Sequence, residues 1–233
     1  MTLHAPQLIT AARMLYAVWL PADPAAAAAL VPDELTVREG SPVFINQYVV
    51  DDAAQTSSAG DHEGFGAYSL TYLGVELADL DTEAGTPGRW WTHYLDSSPE
   101  MIAYAKVRGV PATSGRTELD LSGDRLVATT WGEGGQELIR TTAHVEVGTP
   151  FTGNGQLRYI TRVGGELVSG RYPFVMQGAE TFAVESVEFL DESHPVHALR
   201  PADPLTITFG FYSPAISFCY PGGEGPLGSE GGS

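Results

Sequence analysis

Three residue types in this chain are suited to moving protons or holding an anion, and each lies in or beside a strand-like run. His93 sits in Trp90-Trp91-Thr92-His93-Tyr94-Leu95, and an imidazole titrates close enough to neutrality to give or take a proton. Strand alternation places Trp91 and His93 on one face and Thr92 and Tyr94 on the other. A structural histidine bonded to neighbouring backbone is the competing reading. Arg13 opens the apolar run Arg13 to Leu20. There a guanidinium either reaches a pocket and binds an acidic or enolate oxygen, or begins the strand at the surface. Glu180 and Gln177 precede the run Thr181 to Leu190, with Glu185 and Glu188 inside it. One of these carboxylates is a candidate proton acceptor, against a solvated role for each. Lys106 is the only lysine, so any imine chemistry must use it. Its place near the end of a helical run reads instead as an exposed cation favoured by the helix dipole.

Polar tips on otherwise apolar faces supply candidate binding positions. Asn46 and Tyr48 share a strand face with Phe44, and Tyr68, Leu70 and Tyr72 share another. Such faces suit a mainly apolar small molecule carrying a few oxygens, and suit a packed core equally. Arg140, Thr142 and His144 also share a face, in the manner of a barrel exterior. The acidic groups Asp51-Asp52, Asp61-His62-Glu63 and Asp79, Asp81 and Glu83 lack a helical histidine pair or a fixed aspartate spacing, so they read as solvated loops with no metal expected. Gly132, Gly134 and Gly135 belong to a hairpin rather than to a strand-to-helix turn. No phosphate loop, dinucleotide fingerprint or nucleophile elbow is present, and no cofactor is expected.

The elements that position these residues are mostly strands. Runs rich in β-branched and aromatic residues, separated by Gly, Pro, Asp or Ser, predict strands over 13–20, 42–50, 67–75, 90–95, 116–121, 125–131, 137–147, 156–161, 181–190 and 205–211. Residues 117–121 and 125–131 flank the turn Ser122-Gly123-Asp124 as a hairpin, and the glycines after Trp131 form the next. Helices are predicted over 23–30, 97–106 and, briefly, near Pro195. So many strands in one domain argue for a barrel or a sandwich, and periodicity does not choose between them.

Composition narrows the partners. A chain of 233 residues, 43% apolar, is long enough for one fully cored domain, read as 1–221 followed by a disordered tail over 222–233 that has little to bury. Twelve basic against 29 acidic side chains give a net charge of −17, which repels nucleic acid and anionic membrane surfaces. The most apolar N-terminal portion is broken by Pro21, Asp23 and Pro24, so neither a secretory leader nor a membrane span is expected. The single cysteine, Cys219, rules out an internal disulfide framework, and a cytoplasmic location is expected.

Three segments, in order, resemble the acetoacetate decarboxylases. Arg13 to Leu20 with Asp23-Pro24 and Leu30-Val31-Pro32-Asp33-Glu34-Leu35 is similar to that family's opening arginine, first strand and helix exit. Tyr94-Leu95-Asp96, Ala103 and Gly109-Val110-Pro111 are similar to its central motif, and Glu180 to Asp191 with His194-Pro195 and Pro204-Leu205 to its last third. The resemblance implies a closed antiparallel β-barrel with a few short helices, enclosing a ligand pocket, in a possible homo-oligomer. It also implies that Arg13 holds a substrate carboxylate, that His93 lines the pocket, and that a cavity glutamate is replaced by Asn46 and another acidic position falls on or next to Leu70. The two lysine positions of the decarboxylases fall on Ala112 and Thr113, neither of which can form an imine. A container kept without its imine lysine fits a cofactor-independent cyclase of polyketide natural-product biosynthesis, for example one forming a spiroacetal with loss of water by general acid/base catalysis. Alternatives are a decarboxylase or lyase acting on a β-keto or pyruvoyl substrate, and a non-catalytic binding protein for a hydrophobic metabolite. The catalytic residues expected are His93, Arg13 and Glu180. Asn46, Tyr48, Tyr68, Leu70, Trp91 and Thr113 are expected to bind substrate.

Overall fold

The computed structural model describes residues 5–58, 64–78 and 88–227. The acidic groups at 61–63 and at 79–83 therefore lie outside the described residues, as does the tail after Leu227. Thirteen strands and two α-helices follow in the order β1 (Gln7–Trp19), α1 (Pro24–Ala28), β2 (Val43–Val50), β3 (Thr56–Ser58), β4 (Tyr68–Glu76), β5 (Gly88–Asp96), α2 (Pro99–Lys106), β6 (Ala112–Ser122), β7 (Arg125–Gly132), β8 (Glu137–Glu146), β9 (Phe151–Val163), β10 (Glu166–Gly178), β11 (Thr181–Phe189), β12 (Ile207–Tyr220) and β13 (Gly225–Pro226). The helix expected near Pro195 is a single 3-10 turn, Pro195–Leu199.

Strands β5-β4-β2-β1-β12-β10-β9 hydrogen-bond in that order and close on themselves, because β9 also pairs with β5. The barrel anticipated from sequence is thus present with one modification. Its closing seam is parallel, Gly88 to Trp90 running alongside Arg158 to Ile160, whereas the other joints are antiparallel. A second antiparallel sheet, β6-β7-β8-β11, leaves the barrel wall through a short parallel pairing of Tyr94 to Asp96 with Ala112 to Ser114 and folds over the outside.

Two apolar cores result, one inside the barrel and one between the barrel wall and the outer sheet. On β1, Met14, Tyr16 and Val18 point inward, while Leu15, Ala17 and Trp19 join the outer core with Ile45, Leu73 and Leu126. A strand buried on both faces carries no polar–apolar alternation, so its sequence reads as one apolar run. Helix α1 closes one edge of the outer core with Ala27. Asp23 caps it by accepting from the backbone N–H of Ala25 and Ala26, and Pro24 occupies the first turn, where its missing N–H costs nothing. Trp19 Nε1 donates to the Leu199 carbonyl at 2.9 Å and ties the 3-10 turn to the same edge.

Two features depart from the sequence reading. Strand β10 was not expected, because Gly170, Pro173 and Gly178 break its apolar pattern. Pro173 is tolerated because β10 meets β13 only at Val168 and Ser169 and β12 only from Phe174 onward, leaving Pro173 paired on the β9 side alone. Residues 222–227, read from sequence as part of the tail, lie against the barrel edge. Gly225 and Pro226 add to the edge of β10, and Glu224 accepts from Arg108 Nε at 3.0 Å and from the Tyr159 hydroxyl at 2.8 Å. A carboxylate with two charge- or hydroxyl-based donors anchors a segment that has little apolar surface of its own.

Candidate functional site

A cavity of about 590 Å³ opens at the end of the barrel where β1 leaves it and β12 enters. Its walls are mainly apolar and aromatic, including Met14, Val18, Leu157, Phe174, Phe211 and Ile216, with the half-exposed Phe209 at the rim. Charged side chains come from two strand ends and the turn that precedes β2. Arg89, at the start of β5, is 5% exposed; its Nε donates to the Tyr16 hydroxyl at 2.7 Å and its Nη2 to Glu76 Oε1 at 3.2 Å. The same guanidinium lies 5.3 Å from the Tyr16 ring centroid and 5.4 Å from that of Phe44. Glu76 ends β4, and its other oxygen accepts from Arg38 Nη1 at 3.0 Å nearer the mouth. Burial in an aromatic barrel would strand either charge alone; the pairing and ring stacking compensate both.

Behind this ion pair lies a hydroxyl and amide network. Asn46 Nδ2 donates to the Tyr72 hydroxyl at 2.8 Å and contacts Met14 Sδ, and the Tyr72 hydroxyl meets that of Tyr172. Asn46 Oδ1 is buried without a hydrogen-bond partner. Burial raises the Tyr16 phenol above its ordinary value despite the adjacent Arg89, and pushes Tyr72 up to about 12. Both therefore stay protonated at neutral pH, as hydrogen-bond donors rather than bases. Deeper still, the Tyr48 and Tyr68 hydroxyls meet at 2.8 Å, and Trp91 stacks on Tyr159 with ring centroids 4.6 Å apart. Asp96 is fully buried at this inner end; desolvation holds its carboxyl well above the usual range, against two backbone hydrogen bonds from Ser97 and Ser98.

Of the residues expected to act, the structure brings Asn46 to the cavity wall and places Tyr48, Tyr68, Leu70 and Trp91 in the interior core beneath it. The others face elsewhere. Arg13 points outward, because Met14 and Tyr16 fix the inward phase of β1. It grips Asp51 through Nε and Nη2 at 2.8 and 2.7 Å and donates to the Leu119 carbonyl. Glu180 is an exposed turn residue accepting from the Thr149 N–H. Thr113 is exposed, while its neighbour Ala112 takes the inward position. Lys106 is exposed at the end of α2, so the described cavity contains no amine able to form an imine.

His93 faces outward because of a bulge. Leu73 pairs with His93 and Gly74 with Trp91, so Thr92 is an extra residue that breaks the alternation and puts Trp91 and Tyr94 inside together. Gly74 is obligatory opposite it, since a Cβ there would lie 1.9 Å from the Trp90 carbonyl oxygen. His93 sits beside His194, ring centroids 6.1 Å apart, and burial followed by that neighbour pushes it down to about 4. Between about 4 and 6.5 the unfolded chain binds a proton that the folded chain refuses. Stability is thus expected to rise with pH across that window, by about 3 kcal/mol, and to be level above it. Urea midpoints of wild type and His93→Gln between pH 4 and 7 check this: the variant should lose the slope, and an unchanged slope assigns it to other groups.

Arg89, Glu76 and Tyr16 were not anticipated as site residues. Arg89 and Glu76 each lie one residue outside the strand ends expected from apolar content. Yet both are in phase with inward neighbours, Arg89 with Trp91 and Glu76 with Leu70, Tyr72 and Gly74. Period-two extension of those strands would have found them.

With this geometry in view, the resemblance drawn from sequence holds for the barrel: the chain has the acetoacetate decarboxylase-like fold. No family model matches the sequence, and no curated protein does. Solved structures do. An acetoacetate decarboxylase superposes with a TM-score of 0.72 at 16% identity, covering 94% of this chain and 88% of that one. The acetoacetate decarboxylase of Legionella pneumophila gives 0.67 at 14%, with 94% and 86% covered. The enduracididine biosynthesis enzyme MppR, in complex with pyruvate, gives 0.66 at 12%, with 97% and 92% covered. Among the described residues no helix is long and apolar enough to cross a membrane.

Proposed function

We propose that the protein is a cofactor-independent enzyme that adds a hydroxyl to a carbonyl within a mainly apolar, oxygenated small molecule and expels water, as a spiroacetal-forming cyclase of natural-product biosynthesis does. The observation that carries this reading is the Arg89 guanidinium held between the Tyr16 hydroxyl and the Glu76 carboxylate at the wall of an aromatic cavity without a lysine. Because Arg89 Nε already donates to the Tyr16 oxygen, the phenol proton is turned to other acceptors and polarised by the adjacent charge. It would donate to the substrate carbonyl, while the Glu76 carboxylate accepts the proton released by the attacking hydroxyl, giving a hemiketal. Glu76 would then return that proton to the hemiketal hydroxyl, which leaves as water, and the second hydroxyl would close on the resulting oxocarbenium carbon, its proton restoring the Tyr16 phenol. The enclosing walls hold a flexible chain folded, bringing the hydroxyl to the carbonyl carbon and selecting one face. Enzyme status is also supported by the fold neighbours, which include decarboxylases and a biosynthetic enzyme.

The test is conversion of a linear dihydroxy ketone, followed by chiral chromatography, beside borohydride trapping with pyruvate and with acetoacetate. Turnover above the buffer rate with one product stereoisomer in excess, and no reduced adduct, is the expected result. A reduced adduct on Lys106 overturns the imine-free reading. Binding of the ketones without any turnover overturns the catalytic one.

A further inference from the structure

The cavity carries information about its ligand beyond size. Its charged lining among the described residues consists of two guanidiniums, Arg38 and Arg89, and two carboxylates, Glu39 and Glu76. Both guanidiniums are already committed to Glu76, at 3.0 and 3.2 Å, and Glu39 adds a further negative group at the mouth. The two positive and two negative groups sum to zero, so a carboxylate entering this space would lose its hydration without meeting a net positive charge. The chain's net charge of −17 opposes its approach as well.

Two polar groups on one wall, by contrast, are arranged for an uncharged partner. Tyr16 and Asn46 are directly opposite each other in the register of β1 and β2, and both line the cavity. The Tyr16 oxygen accepts from Arg89, which leaves its proton to donate. Asn46 is 1% exposed and its amide nitrogen is engaged by Tyr72 and Met14, which leaves Oδ1 as a buried acceptor without a donor. An orphaned buried acceptor carries a desolvation cost that a ligand hydroxyl would remove. The wall thus offers one donor and one acceptor side by side.

We infer that the cavity selects uncharged ligands carrying a carbonyl or ether oxygen beside a hydroxyl, the first bound by the Tyr16 hydroxyl and the second donating to Asn46 Oδ1, and that it rejects carboxylates. This deepens the proposed function and rests on the same cavity being its site, but concerns recognition rather than turnover. Asn46 is then the residue that reads the hydroxyl.

Calorimetric titration with three probes of equal chain length tests it: 4-hydroxydecan-2-one, decan-2-one and 3-oxodecanoate. In the wild type the hydroxy ketone should bind about tenfold or more tightly than the plain ketone, since a site built around a hydroxyl penalises its absence, and the keto acid should bind more weakly than both. Asn46→Leu should abolish the preference for the hydroxyl while leaving decan-2-one affinity within about threefold. Asn46→Asp, which retains an acceptor at that point, should keep the preference. The wild-type series decides the charge question without any variant. Keto-acid binding equal to or tighter than that of the hydroxy ketone overturns the inference, as does an undiminished hydroxyl preference in a folded Asn46→Leu protein or no binding of any probe. The expected order of binding together with no conversion of the linear dihydroxy ketone would overturn the catalytic reading and leave this one standing. Turnover of the dihydroxy ketone with the keto acid bound tightest would do the reverse.

Discussion

Tyr16→Phe is expected to lower kcat/KM for a cyclised ketone by about 100-fold, the loss typical of removing one positioned proton donor from a transition state. The change deletes a single oxygen from a side chain that is 2% exposed and stacked near Phe211 with ring centroids 5.5 Å apart. The ring packing therefore survives. The phenol stays protonated in the fold because burial raises it beyond the stabilising reach of Arg89. The loss should accordingly be constant from pH 6 to 8, since no change in the ionisation of this group contributes. It should fall mainly on kcat, because the oxygen it stabilises carries more charge in the transition state than in the bound ketone. Steady-state rates for both proteins, with melting temperatures as the folding control, check the point. A folded variant that loses less than about threefold removes Tyr16 from the chemistry, and a loss confined to KM makes it a binding group only.

How much of this was written in the sequence differs between the container and its contents. The barrel was legible because turn chemistry and strand composition survive in order along the chain: Asp23-Pro24 caps α1, Ser122-Gly123-Asp124 turns between β6 and β7, and Gly109 turns with a φ of 75° ahead of β6. The inward phase was not legible on β1, where residues 14 to 19 are apolar on both faces and either phase satisfies hydrophobicity. The family resemblance implied that Arg13 lies in the pocket, no pattern on β1 opposed it, and the fold puts Arg13 on the outer wall. On β5 the phase was clear up to Trp91 and then changed at Thr92. A bulge is set by its partner strand, here by Gly74, and that pairing is not visible within the strand itself. On β2, where Phe44, Asn46 and Tyr48 alternate with Ile45 and Gln47, the inward set was read correctly. Asn46 is the one expected binding residue that lines the cavity as described.

Arg89→Met should destabilise the protein by about 3–5 kcal/mol, the cost of stranding one member of a buried ion pair. The arginine side chain is 6% exposed and that of Glu76 7%, so water does not replace the lost partner. Arg38 remains hydrogen-bonded to Glu76, but its own side chain is 52% exposed and compensates the buried carboxylate only in part. Methionine fills similar volume and keeps contact with the Tyr16 and Phe44 rings, so the loss reports charge rather than a cavity. The double variant Arg89→Met with Glu76→Gln is expected to recover a large share of that loss, because the uncompensated carboxylate has been removed along with its partner. Urea unfolding of the wild type, both single variants and the double variant closes the cycle. A double variant no more stable than Arg89→Met would assign the cost to lost packing around the guanidinium and not to the stranded charge. The recovered double variant would also separate folding from function: it restores the barrel while leaving the Tyr16 oxygen without its charged donor and the site without the Glu76 proton acceptor. Its turnover should therefore stay low even where its stability returns.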